Sequence, residues 1–275
     1  LSPATVIPDL PLTYDGGAWP KNDSRVYNYS RTIFQGIVSS INAVSANTLS
    51  RIGADTGFSF AKYNFQQNYL VDSYVSSNGT PMSDIAIAPL ALGALTIGST
   101  VREVTAAYAT FANNGVIRTA RTYTKVYDSD GKIVLDNQQE SQQILSEKAV
   151  NYMNYCLYNA ANNGTGTVAV FPGQNIAGKT GTTSSNRDRW FAGYTKYYTA
   201  AVWCGYNQPE QIYLTNNYQN PAGRLWKMVM QPIHNGLPNA ALYNGNAFQN
   251  ANICLDSGKL ATAACSADVR GINRV

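Results

Sequence analysis

The sequence predicts an α/β protein of the α+β kind, an antiparallel sheet packed between helices. Two observations predict it. The runs 176–182, 189–195 and 199–206 read as consecutive strands joined by tight turns, the pattern of an antiparallel meander. Around them lie stretches with apolar residues at helical spacing and with recognisable caps, chiefly 101–113, 147–161 and 221–234.

The elements follow in order. Prolines at 3, 8 and 11 hold the opening residues extended, and no cap or targeting segment is visible there, so the chain reads as the middle of a longer polypeptide. Over 32–53 the apolar residues Phe34, Ile37, Val38, Ile41, Val44, Leu49 and Ile52 fall at helical spacing and predict one helix. A short helix is expected over 58–68. Val101, Val104, Ala107, Tyr108 and Phe111 form one stripe, which Asn114-Gly115 ends. Residues 122–127 and 133–135 alternate around Asp128-Ser129-Asp130-Gly131 as a hairpin. Ser146 caps a helix over 147–161, closed by Asn163-Gly164. After the meander, Asn220-Pro221 opens a helix running to His234, with Leu225, Trp226, Val229 and Ile233 on its apolar side. No internal repeat is visible. The expected organisation is one unit over 1–236 followed by an irregular C-terminal extension over 237–275.

Composition narrows the function. A chain of 275 residues can bury a substantial core. A net charge of +4 with 13% charged residues gives no basic field of the kind that binds nucleic acid. Asn, Gln, Ser, Thr and Tyr carry most of the polarity, which suits an exported domain handling polar ligands. No apolar run approaches the roughly 20 residues of a membrane-spanning helix, so any anchor lies outside this sequence. The cysteines are Cys156, Cys204, Cys254 and Cys265, without a C-x-x-C pair, and His234 is the one histidine. That set disfavours zinc. Cys156 and Cys204 read as buried small hydrophobes. Cys254 and Cys265 flank a ten-residue stretch that leaves two readings open, a short disulfide loop or two free thiols.

The most informative stretch is Ala177-Gly178-Lys179-Thr180-Gly181-Thr182-Thr183. On a strand, Lys179 and Gly181 share one face, with Thr180 and Thr182 on the other. Gly181 lacks a Cβ and admits close approach of another backbone. A cation, hydroxyls and a strand edge suit an extended peptide that ends in a carboxylate. A P-loop would need 173–180 to follow a buried strand, but Phe171-Pro172 is too short and proline-broken. Nor does 182–185 begin a helix. Ser-x-Asn occurs four times, at Ser40-Ile41-Asn42, Ser45-Ala46-Asn47, Ser76-Ser77-Asn78 and Ser184-Ser185-Asn186. Only the first sits among apolar helical residues on both sides, where polar groups need a reason. Ser-x-x-Lys occurs at Ser59–Lys62 and Ser129–Lys132, and both read as coincidental.

Lys-Thr-Gly is the third signature of the active-site serine penicillin-recognising enzymes, beside Ser-x-x-Lys and Ser-x-Asn. The chain resembles the transpeptidase domain of class A (bifunctional) penicillin-binding proteins. The residues that carry the resemblance, in family order, are 2–9, 37–46, 106–115, 163–167, 177–183 and 191–195 continuing to Trp203. The resemblance implies a penicillin-binding/serine β-lactamase-like fold with about five strands in its sheet. In that family Ser-x-x-Lys precedes the Ser-Pro-Ala-Thr stretch. The nucleophilic serine and its lysine are therefore expected upstream of Leu1.

What the resemblance implies is a D,D-transpeptidase that cross-links peptidoglycan stem peptides through an acyl-serine and that β-lactams attack. Ser40 would relay a proton to the leaving group, Asn42 would orient the missing lysine and the substrate amide, and Lys179 would supply positive potential. Thr180 and Thr182 would hold the substrate carboxylate, with Gly181 and Thr183 completing that wall. The N–H of Thr182 would share an oxyanion hole with that of the missing serine. The implied partners are stem peptides, β-lactams and an N-terminal segment of the same protein. No cofactor or metal is implied, and the implied location is the outer face of the bacterial cytoplasmic membrane. Two alternatives stand beside this. A D,D-carboxypeptidase or serine β-lactamase would need a water-activating residue that is not identifiable here. A catalytically inactive peptidoglycan-binding or penicillin-sensing module would need no nucleophile.

Overall fold

The structure is a computed structural model that describes residues 1–14, 16–214 and 220–267. Strand β1 (Val6–Asp9) runs into a small hairpin, β2 (Leu12–Tyr14) and β3 (Gly17–Trp19). The chain then returns as β4 (Tyr29–Thr32), antiparallel to β1. Alternation along β1 turns Ile7 and Asp9 inward, and both are fully buried. A buried carboxylate must be satisfied. Asp9 accepts from Asn22 Nδ2 at 2.7 Å and from the Asn28 N–H at 2.9 Å, while Asn22 Oδ1 takes the Ala43 N–H at 3.0 Å. The N-terminal ribbon is thereby tied to the start of the second helix.

Thr32 ends β4 and caps α1 (Ile33–Val38). Its hydroxyl accepts the Gln35 N–H, and the Gln35 side chain accepts the Thr32 N–H, a reciprocal box. Helix α2 (Asn42–Ile52) begins only after a break at 39–41, so the single helix expected over 32–53 is two. Gly36 makes their packing possible, since a Cβ there would strike Val44. Helix α3 (Ala54–Ser59) passes into a π-helical turn, Phe60–Asn64, in place of the helix expected over 58–68. A two-stranded ribbon, β5 (Tyr74–Val75) and β6 (Pro81–Met82), and helix α4 (Ile87–Leu92) follow, with α4 against α2. Helix α5 (Val101–Ala112) starts at the Thr100 cap. Beyond it come β7 (Val116–Arg118), the hairpin strands β8 (Lys125–Tyr127) and β9 (Ile133–Asp136), and β10 (Ser141–Gln143), which pairs with β7. Helix α6 (Glu147–Asn162) is capped by Ser146.

The central sheet is β11 (Ala177–Thr182), β12 (Asp188–Tyr194) and β13 (Thr199–Gly205), antiparallel and in that order. Side chains alternate across it. Phe191 faces helix α7 (Pro221–Ile233) with Trp226, Met230 and Ala222, while Tyr194 and Ala177 face Leu157 of α6 and Phe111 of α5. The sheet is therefore covered on both faces, as a layered domain requires. Gly178 and Gly193 sit opposite each other, and a Cβ on either would fall 2.7 Å from a Phe191 ring carbon. The ring is laid across the glycine pair.

Two expectations meet a different arrangement. The described residues pair three strands in the central sheet where about five were implied, and β13 has no second neighbour among them. On α7 the buried side is Ala222, Gly223, Trp226 and Met230, whereas Leu225, Val229 and Ile233 are 46%, 52% and 47% exposed. The i, i+4, i+8 row that meets the sheet is Ala222, Trp226 and Met230, so of the expected apolar side only Trp226 lies on it. Past α7, residues 237–262 carry no helix beyond a 3₁₀ turn, and α8 (Ala263–Ser266) is one short turn. Residues 268–275 of the expected irregular extension lie outside the described ones. No described helix is long and apolar enough to cross a membrane.

Candidate active site

The site begins with how α1 ends. Ser39 is its C-cap, the Ser40 N–H returns to Ile37 O at 3.3 Å, and the Ile41 N–H returns to Gly36 O at 2.9 Å. This pair of bonds is the Schellman motif, which requires a left-handed residue at its centre, usually glycine. Here that residue is Ser40, at φ +55°. The turn breaks the expected long helix and lifts an exposed hydroxyl off the helix end.

Lys179 lies mid-strand on β11, an edge strand of the sheet among the described residues. Its Nζ donates to Ser40 Oγ at 2.8 Å, across 139 residues of sequence, and also to Thr180 O at 3.3 Å and Thr165 Oγ1 at 3.5 Å. No carboxylate pairs with it among the described residues. Uncompensated burial lowers its pKa from 10.5 to about 8. Thr180 Oγ1 and Thr165 Oγ1 share a hydrogen bond of 2.8 Å, so three hydroxyls and one amine meet at this point. Thr165 is delivered by the turn that ends α6. A Cβ on Gly164 there would strike Val38 O of α1, so only glycine lets the ends of α1 and α6 meet.

The far end of the strand holds a second group. Arg189 faces Thr182 across β11 and β12, donating to Thr182 Oγ1 at 3.1 Å and to Asn186 Oδ1 at 3.0 Å. Its Nε is buried without a partner, and burial lowers the guanidinium pKa, partly offset by Asp23. The Thr183 hydroxyl is engaged by the turn, donating to Asp188 Oδ2 at 2.9 Å and accepting the Asp188 N–H at 2.8 Å. Trp203 Nε1 holds the other Asp188 oxygen at 2.8 Å. A Cβ on Gly181 would come within 3.0 Å of Trp190 Cβ, so the strand is close-packed at that position as well.

The remaining sequence candidates separate cleanly. Asn42 opens α2, and its amide donates to Lys21 O at 2.9 Å rather than to Lys179. Asn47 of the competing Ser45-Ala46-Asn47 triplet donates to Leu10 O and Ala43 O, holding α2 to the N-terminal ribbon. Lys62 lies over the Phe58 ring at 5.2 Å, and Lys132 sits in the β8–β9 hairpin, where Asp128 gathers its N–H. Neither forms a Ser-x-x-Lys site. Two residues of the cluster, Thr165 and Arg189, were not singled out from sequence. Thr165 lay within the Asn-Gly-Thr-Gly-Thr stretch already noted, and Arg189 follows from the meander once its register is known.

A family model, the penicillin binding protein transpeptidase domain, matches residues 1–231. Penicillin-binding protein 1A of Clostridium botulinum (strain Hall) is 32% identical over 254 residues, 92% of this chain and 29% of that protein. Penicillin-binding protein 1F of Bacillus subtilis is 31% identical over 234 residues, 83% of this chain and 30% of that protein. The chain thus spans less than a third of the length of these curated relatives. Penicillin-binding protein 1A from Haemophilus influenzae superposes with a TM-score of 0.70 at 18% identity, over 95% of this chain and 43% of that one. The D,D-transpeptidase domain of a peptidoglycan glycosyltransferase from Eggerthella lenta gives 0.63 at 19% identity, over 86% and 60%. Those two likenesses are of fold, the penicillin-binding/serine β-lactamase-like one. With the fold shared and the family model running from Leu1 through the sheet into α7, the chain belongs to the penicillin-binding protein transpeptidase domain family, and it is similar to the transpeptidase portion of the class A, 1A-type members.

Proposed function

We propose that this chain is the substrate-clamping part of a D,D-transpeptidase that cross-links peptidoglycan stem peptides and that β-lactams acylate. The observation that carries the reading is the Lys179 Nζ to Ser40 Oγ hydrogen bond, which joins the two signatures in space. The nucleophilic serine and its activating lysine belong to a Ser-x-x-Lys segment of the same protein outside this chain. The outer edge of β13, which no described strand pairs, and the exposed Leu225, Met228 and Val229 of α7 support a further segment packing there.

In this mechanism the serine oxygen attacks the carbonyl before the terminal D-alanine and forms an ester. The D-alanine leaves, and an amine of a neighbouring stem peptide then takes the acyl group. Ser40, held by Lys179, passes the proton to the departing nitrogen. Lys179 sets the positive potential, and Thr180 and Thr182 bind the terminal carboxylate along the edge of β11, with Gly181 keeping the wall flat. The Thr182 N–H is one oxyanion donor, and loss of such a donor costs on the order of a hundredfold in rate. Asn42 reaches the substrate amide and the lysine only by leaving Lys21 O. Thr183 acts through the turn that aims Thr182. The catalytic unit works on the outer face of the bacterial membrane, held by an anchor outside this chain.

Fluorescent penicillin tests the reading. The 275-residue chain alone should not be labelled, and adding the upstream segment, in one longer chain or as a co-folded second chain, should restore labelling at a serine of that segment. Lys179→Ala should then slow acylation. An acyl adduct on Ser40, Ser59 or Ser129 of the chain alone would overturn the placement of the nucleophile. Tight peptidoglycan binding without acylation in the longer protein would instead identify an inactive sensing module.

A further inference from the structure

We infer that Cys254 and Cys265 are a redox site, closing to an intramolecular disulfide that clasps the C-terminal hairpin onto the β1–β4 ribbon. The inference is independent of the acyl-transfer reading. Residues 252–261 fold back on themselves. Ile253 bridges Leu260, the Cys254 N–H donates to Lys259 O at 2.9 Å, and the Ala261 N–H donates to Asn252 O at 2.8 Å. The chain then turns through Thr262 into α8, whose third residue is Cys265, and the Thr262 N–H donates to Cys265 Sγ at 3.4 Å. That turn returns Cys265 to the hairpin, where its thiol donates to Cys254 Sγ.

The surroundings of Cys254 favour the thiolate. Its Sγ accepts from the Ser257 hydroxyl, from the N–H groups of Ser257 and Asp256, and from Cys265, which together lower its pKa from 9.0 to about 7. The other two thiols are unlike it. Burial pushes Cys156 up to about 12 and raises Cys204, and each stands on its own element, α6 and β13. Oxidation should therefore be confined to one pair of four.

The oxidant is an external disulfide. Cys265, the more exposed of the pair, passes its proton to Cys254 and attacks the external disulfide, leaving a mixed disulfide on Cys265 and releasing one thiolate, which takes the proton back from Cys254. The Cys254 thiolate then attacks Cys265 Sγ, forming the Cys254–Cys265 bond and expelling the second external thiolate. Two protein thiols are oxidised and one external disulfide is reduced to two thiols. The closed loop holds the hairpin whose Leu255 O accepts from Ser30 Oγ at 2.7 Å and whose Gly258 lies against Val6. Ser30 and Val6 belong to β4 and β1, so the clasp fastens the C-terminal hairpin to the ribbon that caps α1.

The test incubates the 275-residue chain with oxidised glutathione, then alkylates with iodoacetamide and maps peptides. Trypsin cuts after Lys259, between the two cysteines, so their peptides stay joined only through a disulfide. The expected product is lighter than the reduced protein by two hydrogens, carries no glutathione, and yields the joined peptides with Cys156 and Cys204 still thiols. Amide exchange at Cys254 and Ala261 should slow on oxidation. In Cys254→Ser, glutathione should remain on Cys265. Stable glutathione on Cys265 of the unaltered protein, or alkylation of both Cys254 and Cys265 after the oxidant, would overturn the inference, and that readout needs no variant.

Discussion

Ser40 is a serine in a glycine's backbone conformation, and that fact decides its mutational behaviour. A left-handed non-glycine residue costs roughly 1–2 kcal/mol, part of which glycine gives back in unfolded-state entropy. Ser40→Gly should therefore leave stability unchanged or raise it by up to about 1 kcal/mol. Ser40→Ala keeps the strain and should be the less stable of the two in urea denaturation. Equal losses in both would mean that the left-handed conformation at position 40 carries no measurable strain. Lys179 adds a pH signature. Its folded pKa lies near 8, below the ordinary 10.5, so the folded state binds fewer protons between those values. Stability then rises with pH across that window, and below about pH 8 the buried ammonium carries its full cost, at most about 3 kcal/mol and less where water reaches it. Lys179→Met should be more stable than the unaltered chain at pH 7, and this advantage should vanish near pH 10.5. An advantage independent of pH would place its origin elsewhere than in the charge.

At the scale of elements, the pairing of β11 with β12 depends on Gly178 and Gly193. Besides the Phe191 ring, a Cβ on Gly178 would lie 2.7 Å from Ala192 O, and one on Gly193 would lie 2.9 Å from Ala177 O. Backbone oxygens cannot rotate away, so Gly178→Ala and Gly193→Ala should each cost about 1–3 kcal/mol in thermal unfolding. Phe191→Leu should offset part of the Gly193→Ala loss in the double variant, because the two share the ring contact. Strictly additive losses would show that the backbone contact alone matters. Sequence reading placed the close approach at Gly181, inside the signature. The register that sets Gly178 opposite Gly193 lay beyond it.

At the scale of the molecule, the segment after α7 is irregular but not loose. Asn154 of α6 donates to Leu242 O at 2.8 Å, and the Asn175 N–H donates to Asn239 at 2.8 Å. Tyr243 and Phe248 pack on the rings of Tyr155, Tyr158 and Tyr152. Removing 237–275 would expose that aromatic face of α6 to water. We expect a loss of at least about 3 kcal/mol, from two or more uncovered rings. A truncated chain that melts with the full one would show the segment to be an appendage.

The sequence by itself determined the helices that Ser146 and Asn220 open, the helix that Asn114-Gly115 ends, and the three strands of the meander, because caps, stops and alternation are local. It also picked out Lys179 and, among four Ser-x-Asn serines, Ser40, the two residues that the structure joins by a hydrogen bond of 2.8 Å. Tertiary structure decided the rest. The break at Ser40 was hidden because a serine occupies the glycine position of the turn, and apolar spacing continues through it. Asn42 turns to Lys21, and Thr183 closes its own turn, because hydrogen-bond partners for a polar side chain depend on which backbone groups folding leaves nearby. Of the apolar side expected for α7, Trp226 is buried against the sheet, while its companions there are Ala222 and Met230 rather than Leu225, Val229 and Ile233, because the helix's rotation is set by its packing against Phe191. Thr165 and Arg189 reach Thr180 and Thr182 through a helix end and a strand register, relations between distant segments that no local pattern encodes.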